Sequence, residues 1–139
     1  MAENAKDQAP AGALRLLHVE DSPIDAELIL RQLKRQGLRI ESRRVYTEKS
    51  FREGLAVFVP DIVLSDYSMP EFDGLSALGI MREIAPHTPF IFVSGSIRPD
   101  DAARAFKQGA ADFLTKEDLG RLRPAIEKAL KLSGAHPRL

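Results

Sequence analysis

Short apolar runs recur along this sequence with amphipathic stretches between them, and that alternation constrains the fold more than any other feature. The runs are Leu14–Val19, Asp61–Ser65, Pro89–Val93 and Ala111–Thr115, with a more polar one at Arg39–Val45. Runs of this length that are apolar on both faces suit central strands of a parallel sheet, and the polar one suits an edge. The intervening stretches carry helical signals. Ser22 is an N-cap, followed by Pro23 at the first helical position and Asp25 as a capping-box-like acid. Ala26, Ile29, Leu30 and Leu33 then repeat at helical spacing, and Gly37 stands where a C-terminal cap belongs. Phe51, Leu55 and Phe58 mark a second helix stopped by Pro60, Leu75 to Ile84 a third, and Ala102 to Gln108 a fourth ending at Gly109. Leu122, Ile126, Ala129 and Leu130 mark a fifth, which tolerates Pro124 only near its first turn. Five βα units in succession predict one doubly wound α/β domain over residues 14–132, with 1–13 a flexible N-terminal segment and 133–139 a short tail.

Composition removes several classes of function. With 139 residues, 44% of them hydrophobic, the chain holds one core and needs no staple. There is no cysteine, which excludes disulfide frameworks, thiolate zinc sites and cysteine nucleophiles. Lys+Arg and Asp+Glu are 20 each, so a bulk electrostatic grip on nucleic acid or anionic lipid is not expected. No apolar run approaches the roughly 18 residues of a membrane span. The polar N-terminus lacks the apolar stretch of a secretory signal. The expectation is a cytoplasmic protein without a nucleic-acid or membrane partner.

Each central strand run stops at a polar group: Glu20-Asp21 after the first, Asp66 after the second, then Ser94, and Lys116 after the last. Open parallel sheets bind ligands beyond the carboxyl ends of their strands, where the winding reverses. If the strand order is 2-1-3-4-5, that point would bring Glu20, Asp21 and Asp66 together. Three carboxylates in one crevice repel unless they share a proton or hold a hard divalent cation. Oxygen-only ligands suit Mg²⁺ or Mn²⁺ better than zinc. With Lys116 and a hydroxyl added, the site suits a phosphoryl group, and one carboxylate is left to serve as nucleophile and form an acyl phosphate.

Glu20-Asp21, the run Asp66-Tyr67-Ser68-Met69-Pro70-Glu71-Phe72-Asp73-Gly74, Val93-Ser94-Gly95 and Thr115-Lys116 together resemble the receiver domain of two-component response regulators, from about Leu14 to Leu132. The resemblance implies a flavodoxin-like (βα)5 fold with order 2-1-3-4-5. It also implies that Asp66 accepts a phosphoryl group from a histidine kinase or histidine phosphotransfer protein. Asp21 would hold Mg²⁺ directly and Glu20 through water, with Asp66 and the backbone carbonyl of Ser68 completing the protein ligands. Ser94 would bond a phosphoryl oxygen, Lys116 would pair with the phosphorylated aspartate, and Phe113 stands at the aromatic switch position. Three departures from the family pattern follow: Glu20 is one methylene longer than the usual acid, Phe113 has no hydroxyl, and Glu117 replaces the usual proline after Lys116. Only seven residues follow Leu132, so the expectation is a stand-alone signalling module whose output runs through an unnamed protein target.

The same residues have plainer readings. Asp66 alone could be a strand-end turn residue, and Asp21 with Ser22 a helix cap. His18 reads as a core histidine, Arg43-Arg44 as the solvated face of an edge strand, and Arg104 and Lys107 as solvated or partner-facing. Three other functions fit parts of the pattern. An aspartyl-phosphate phosphohydrolase would use D-x-D after its first strand, whereas Asp66 ends the third strand and position 68 is serine. A flavodoxin-like FMN binder needs a phosphate-cradling loop where Glu20-Asp21 stands. A receiver-like scaffold that never accepts phosphate would not require Asp66, Ser94 and Lys116 to be intact.

Overall fold

The computed structural model describes residues 12–134, so most of the two predicted end segments lies outside the described residues. The strands are β1 (Leu14–Val19), β2 (Ile40–Val45), β3 (Ile62–Ser65), β4 (Phe90–Ser94) and β5 (Asp112–Thr115). All pair in parallel, in the order β2-β1-β3-β4-β5. The helices are α1 (Pro23–Arg35), α2 (Glu48–Glu53), α3 (Gly74–Ile84), α4 (Pro99–Lys107) and α5 (Leu122–Leu132).

Strand side chains alternate between two cores because successive residues point to opposite faces of a sheet. Leu14, Leu16, Ile62, Leu64, Ile91, Val93 and Leu114 pack with Ile29 and Leu33 of α1 and with Leu122, Ile126 and Leu130 of α5. Leu17, Val19, Val63, Phe90, Phe92 and Phe113 pack with Phe51, Ala77, Leu78, Met81 and Ala105 on the other side. Burying each of the Val, Leu, Ile, Met and Phe side chains among these contributes about 1.5–3 kcal/mol. The edge strand β2 exposes Ser42, Arg43 and Arg44, as its polarity predicted, whereas β5, read as a central strand from its apolar run, is the other edge and pairs only with β4.

Several helix signals act as read. The Ser22 hydroxyl accepts from the Asp25 N–H at 3.2 Å, Pro23 opens α1, and Gly37 follows it with a left-handed φ of 92°. Leu30 differs: it is only half-buried, and Ala26, Ile29 and Leu33 carry the contact. Pro124 lies at the third position of α5, after a 3₁₀ turn at Leu119–Arg121. The second helix departs further. Beyond Glu53 it widens into a π-helical turn, Gly54–Phe58, closed by the Val59 N–H on the Gly54 carbonyl at 3.0 Å. Val59 then takes a φ of 53°, which a β-branched residue adopts only under strain. The Arg15 guanidinium caps the freed Phe58 carbonyl and lies 4.3 Å over the Phe58 ring.

Candidate functional site

The apolar strands carry three acids to the carboxyl end of the sheet and release them where pairing stops. The Glu20 N–H donates to the Val45 carbonyl at 3.0 Å, the last rung toward β2. Asp66 N–H donates to the Val19 carbonyl at 2.9 Å, the last rung between β1 and β3. Glu20 is fully buried, Asp66 nearly so at 9% exposure, and Asp21 faces solvent. Carboxylate oxygens of Glu20, Asp21 and Asp66 lie within 4.8 Å of one another.

Each Asp66 oxygen has a distinct neighbour. Oδ1 accepts the Tyr67 N–H at 2.7 Å, and Oδ2 lies 3.3 Å from Lys116 Nζ. Gly74 explains the glycine of the Asp73-Gly74 pair, because a Cβ there would meet Phe92 at 2.4 Å and the Asp66 carbonyl at 2.5 Å. The start of α3, capped by the Asp73 carboxylate on the Ser76 N–H at 2.8 Å, is thereby pressed against the backbone of Asp66.

Lys116 is the hub of the charged groups. Its N–H donates to the Ser94 carbonyl at 2.7 Å, which fixes the residue to the end of β4. Its ammonium lies 2.8 Å from Asp25 Oδ2, 3.0 Å from Glu20 Oε1 and 3.3 Å from Asp66 Oδ2. Burial alone would pull the Lys116 pKa down, but the contacts with Asp25, Glu20 and Asp66 outweigh it and push the value up. Burial pushes the Glu20 carboxyl up, with Lys116 opposing and Asp66 reinforcing. His18, one residue in from the end of β1, is pushed down to about 4 by burial and then by Lys116 and Arg44, so it is a neutral core histidine.

This donor set suits a hard divalent cation. Glu20 Oε1 is buried and, although Lys116 is near, it accepts no well-directed hydrogen bond. Such an acceptor is costly unless a positive partner completes it. Ser68 sits two residues past Asp66 in an exposed loop, beside a shallow pocket lined by Asp21, Tyr46, Met69, Pro70 and Glu71.

Ser94 and Phe113 occupy adjacent strands at different depths. Ser94 is opposite Thr115, whereas Phe113 is opposite Phe92, two residues deeper. The Phe113 ring is turned inward, 6% exposed, with centroids 5.3 Å from those of Tyr67 and of Phe92. The Tyr67 hydroxyl donates to Asp101 Oδ1 of α4 at 3.3 Å, and Arg104 is 3.8 Å from the same carboxylate.

Glu20, Asp21, Asp66 and Lys116 therefore meet at one crevice, with Ser94 attached through Lys116. Two neighbours escaped the sequence reading. Asp25, taken for a capping acid, turns its carboxylate to Lys116, and Glu20 Oε2 accepts the Ser22 N–H instead at 3.2 Å. Arg44 lies on the solvated face of the edge strand, as its sequence suggests, and in addition donates to the Glu20 carbonyl at 3.0 Å. The registry of β2 beside β1 places Arg44 there, and no local signal announces it.

The profile of the response regulator receiver domain matches residues 16–127, and the chain belongs to that family. It is 36% identical over 119 residues to the response regulator protein PilR of Pseudomonas aeruginosa, covering 85% of this chain and 26% of PilR. It is 31% identical over 106 residues to the cell cycle transcriptional regulator CtrA of Caulobacter vibrioides, covering 74% of this chain and 44% of that protein. The chain thus spans less than half the length of these relatives. Among solved structures, the receiver domain of a signal transduction histidine kinase from Syntrophus aciditrophicus is 29% identical, with a TM-score of 0.72 over 86% of this chain and 91% of that one. Among the described residues no helix is long and apolar enough to cross a membrane.

Proposed function

We propose that this chain is a cytoplasmic phosphoacceptor receiver in which Asp66 takes a phosphoryl group from a phosphohistidine donor on a histidine kinase or histidine phosphotransfer protein. The observation that carries the reading is the Asp66 carboxylate beside Lys116 at 3.3 Å, with Glu20 and Asp21 oxygens within 4.8 Å. An Asp66 oxygen attacks phosphorus, the new P–O bond forms as the P–N bond breaks, and the imidazole nitrogen keeps the electron pair. Lys116 pairs with the charge gained on Asp66, and Ser94 donates its hydroxyl to a phosphoryl oxygen. Mg²⁺ or Mn²⁺, held by Glu20, Asp21, Asp66 and the Ser68 carbonyl, would supply charge neutralisation of the phosphoryl oxygens.

On this reading the protein is a signalling phosphoacceptor that catalyses only its own phosphorylation and dephosphorylation. Output passes to a protein target by altered contacts around α4, β5 and α5. Movement of Ser94 and of the Phe113 ring couples that surface to Asp66. Because Phe113 has no hydroxyl, its inward position is held by packing against Tyr67 and Phe92. The test is incubation with acetyl phosphate and Mg²⁺, read by intact mass. One added phosphoryl group that is absent in Asp66→Asn is the expected result; equal labelling of the variant sinks the assignment.

A further inference from the structure

Lys116 must stay aimed at Asp66 through every stage of such a reaction, yet it stands on a loop whose next residue is Glu117 rather than the proline common at that position. Its ammonium has three N–H donors on a flexible four-carbon stem. Three carboxylates meet them, and the shortest contact, 2.8 Å, is with Asp25 Oδ2. Asp25 comes from the first turn of α1, 91 residues away in sequence. The far end of α1 holds the same loop. Gln36 Nε2 donates to the Leu119 carbonyl at 2.8 Å, and Gln36 Oε1 accepts the Arg123 N–H at 2.9 Å. The Arg123 guanidinium returns to the Gln36 carbonyl.

The three carboxylates around Lys116 are not equivalent. Glu20 and Asp66 belong to the trio that fits a divalent cation, and Asp25 does not. Once a cation draws on Glu20 and Asp66, Asp25 is the one carboxylate left wholly to the ammonium. We infer that Asp25 is a positioning residue that keeps Lys116 facing Asp66, so that two freed N–H donors are presented to an arriving phosphoryl oxygen. The inference rests on the phosphoacceptor reading of Asp66 and extends it to a residue outside the acidic trio. Charge alone argues the other way, since removing Asp25 would lessen repulsion of a phosphoryl dianion. The direction of the effect therefore decides between an anchor and a competitor.

The experiment measures beryllofluoride binding by the full chain in saturating Mg²⁺, using amide spectra, with Mg²⁺ affinity measured separately. Wild type is compared with Asp25→Asn, Asp25→Glu, Lys116→Met and the Asp25→Asn/Lys116→Met double variant. An anchor predicts that Asp25→Asn weakens beryllofluoride binding by about tenfold, the loss of one charge-assisted contact. Mg²⁺ affinity should stay within about twofold, and Asp25→Glu should restore part of the loss. In the Lys116→Met background, Asp25→Asn should have no further effect, because both changes remove one interaction. A purely structural role would instead add in that background. Unchanged or tighter binding by Asp25→Asn overturns the anchor while leaving Asp66 in place. Failure of the wild type to bind beryllofluoride overturns the reading of Asp66 and the inference with it.

Discussion

The charged crevice and the core cluster of aromatic rings next to it are built on different terms. In the crevice, Glu20, Asp25 and Asp66 lie within ion-pairing distance of Lys116, and Glu20 Oε1 is buried beside its ammonium at 3.0 Å without a well-directed hydrogen bond. In the aromatic cluster, the rings of Phe90, Phe92, Phe113 and Tyr67 pack in a chain with neighbouring centroids 5.0–5.3 Å apart. The first holds a buried carboxylate, Glu20, whose pKa burial pushes up. The second contributes stability and is already closed, with Phe113 inward. Chemistry and cohesion sit side by side, and Tyr67 touches both through its N–H on Asp66 and its ring on Phe113.

That contrast is open to attack by substitution. The largest effect belongs to Phe92, which is fully buried and meets Phe90, Tyr67 and Phe113. Phe92→Ala should lower the unfolding free energy by about 3–5 kcal/mol in urea melts. A loss below about 1 kcal/mol would mean the rings carry little of the fold.

His18 gives the next effect, through pH. Its folded pKa of about 4 lies below the ordinary 6.5, so the unfolded chain binds the extra proton between those values. Stability is therefore full above about pH 6.5 and lost as pH falls toward 4. The shift, 6.5 minus 4, corresponds to about 3 kcal/mol. Urea melts at several pH values should show this slope, and His18→Gln should lack it. An identical slope in the variant would place the titration elsewhere.

The smallest effect is at Glu20, and its sign is opposite to the aromatic one. Burial raises its pKa, so its contribution to stability is present below the unfolded value and lost as pH rises through the folded value. Glu20→Gln should raise stability by about 1 kcal/mol at pH 7 without added metal. Added Mg²⁺ should then raise the unfolding midpoint of wild type more than that of the variant. A destabilised variant would show that Lys116 fully compensates the buried charge.

What the sequence disclosed of this site follows the same division. Glu20, Asp21, Asp66 and Lys116 were legible only jointly, because each follows the end of an apolar strand run and the fold gathers those ends, whereas any one alone reads as a turn or cap residue. The parallel sheet was legible for the same reason, from runs apolar on both faces. Asp25 was not, because its spacing from Ser22 also satisfies a helix cap and its real partner is 91 residues away. Arg44 depended on the register of β2 against β1, which polarity on an edge strand does not specify. Phe113 could be assigned to a strand, but its inward position depends on Tyr67 and Phe92 from two other segments. The π-helical turn at Gly54–Phe58 keeps the helical spacing of Phe51, Leu55 and Phe58, so periodicity could not reveal it.

The claim that Asp66 is the phosphoacceptor is tested most directly by locating the phosphoryl group itself. Borohydride reduces an aspartyl phosphate to homoserine, so treatment of the acetyl-phosphate-labelled chain, followed by peptide mass mapping, marks the acceptor permanently. The account predicts homoserine at position 66, formed only when Mg²⁺ is present during labelling. Homoserine at another aspartate, or none at position 66 after confirmed labelling, would contradict it.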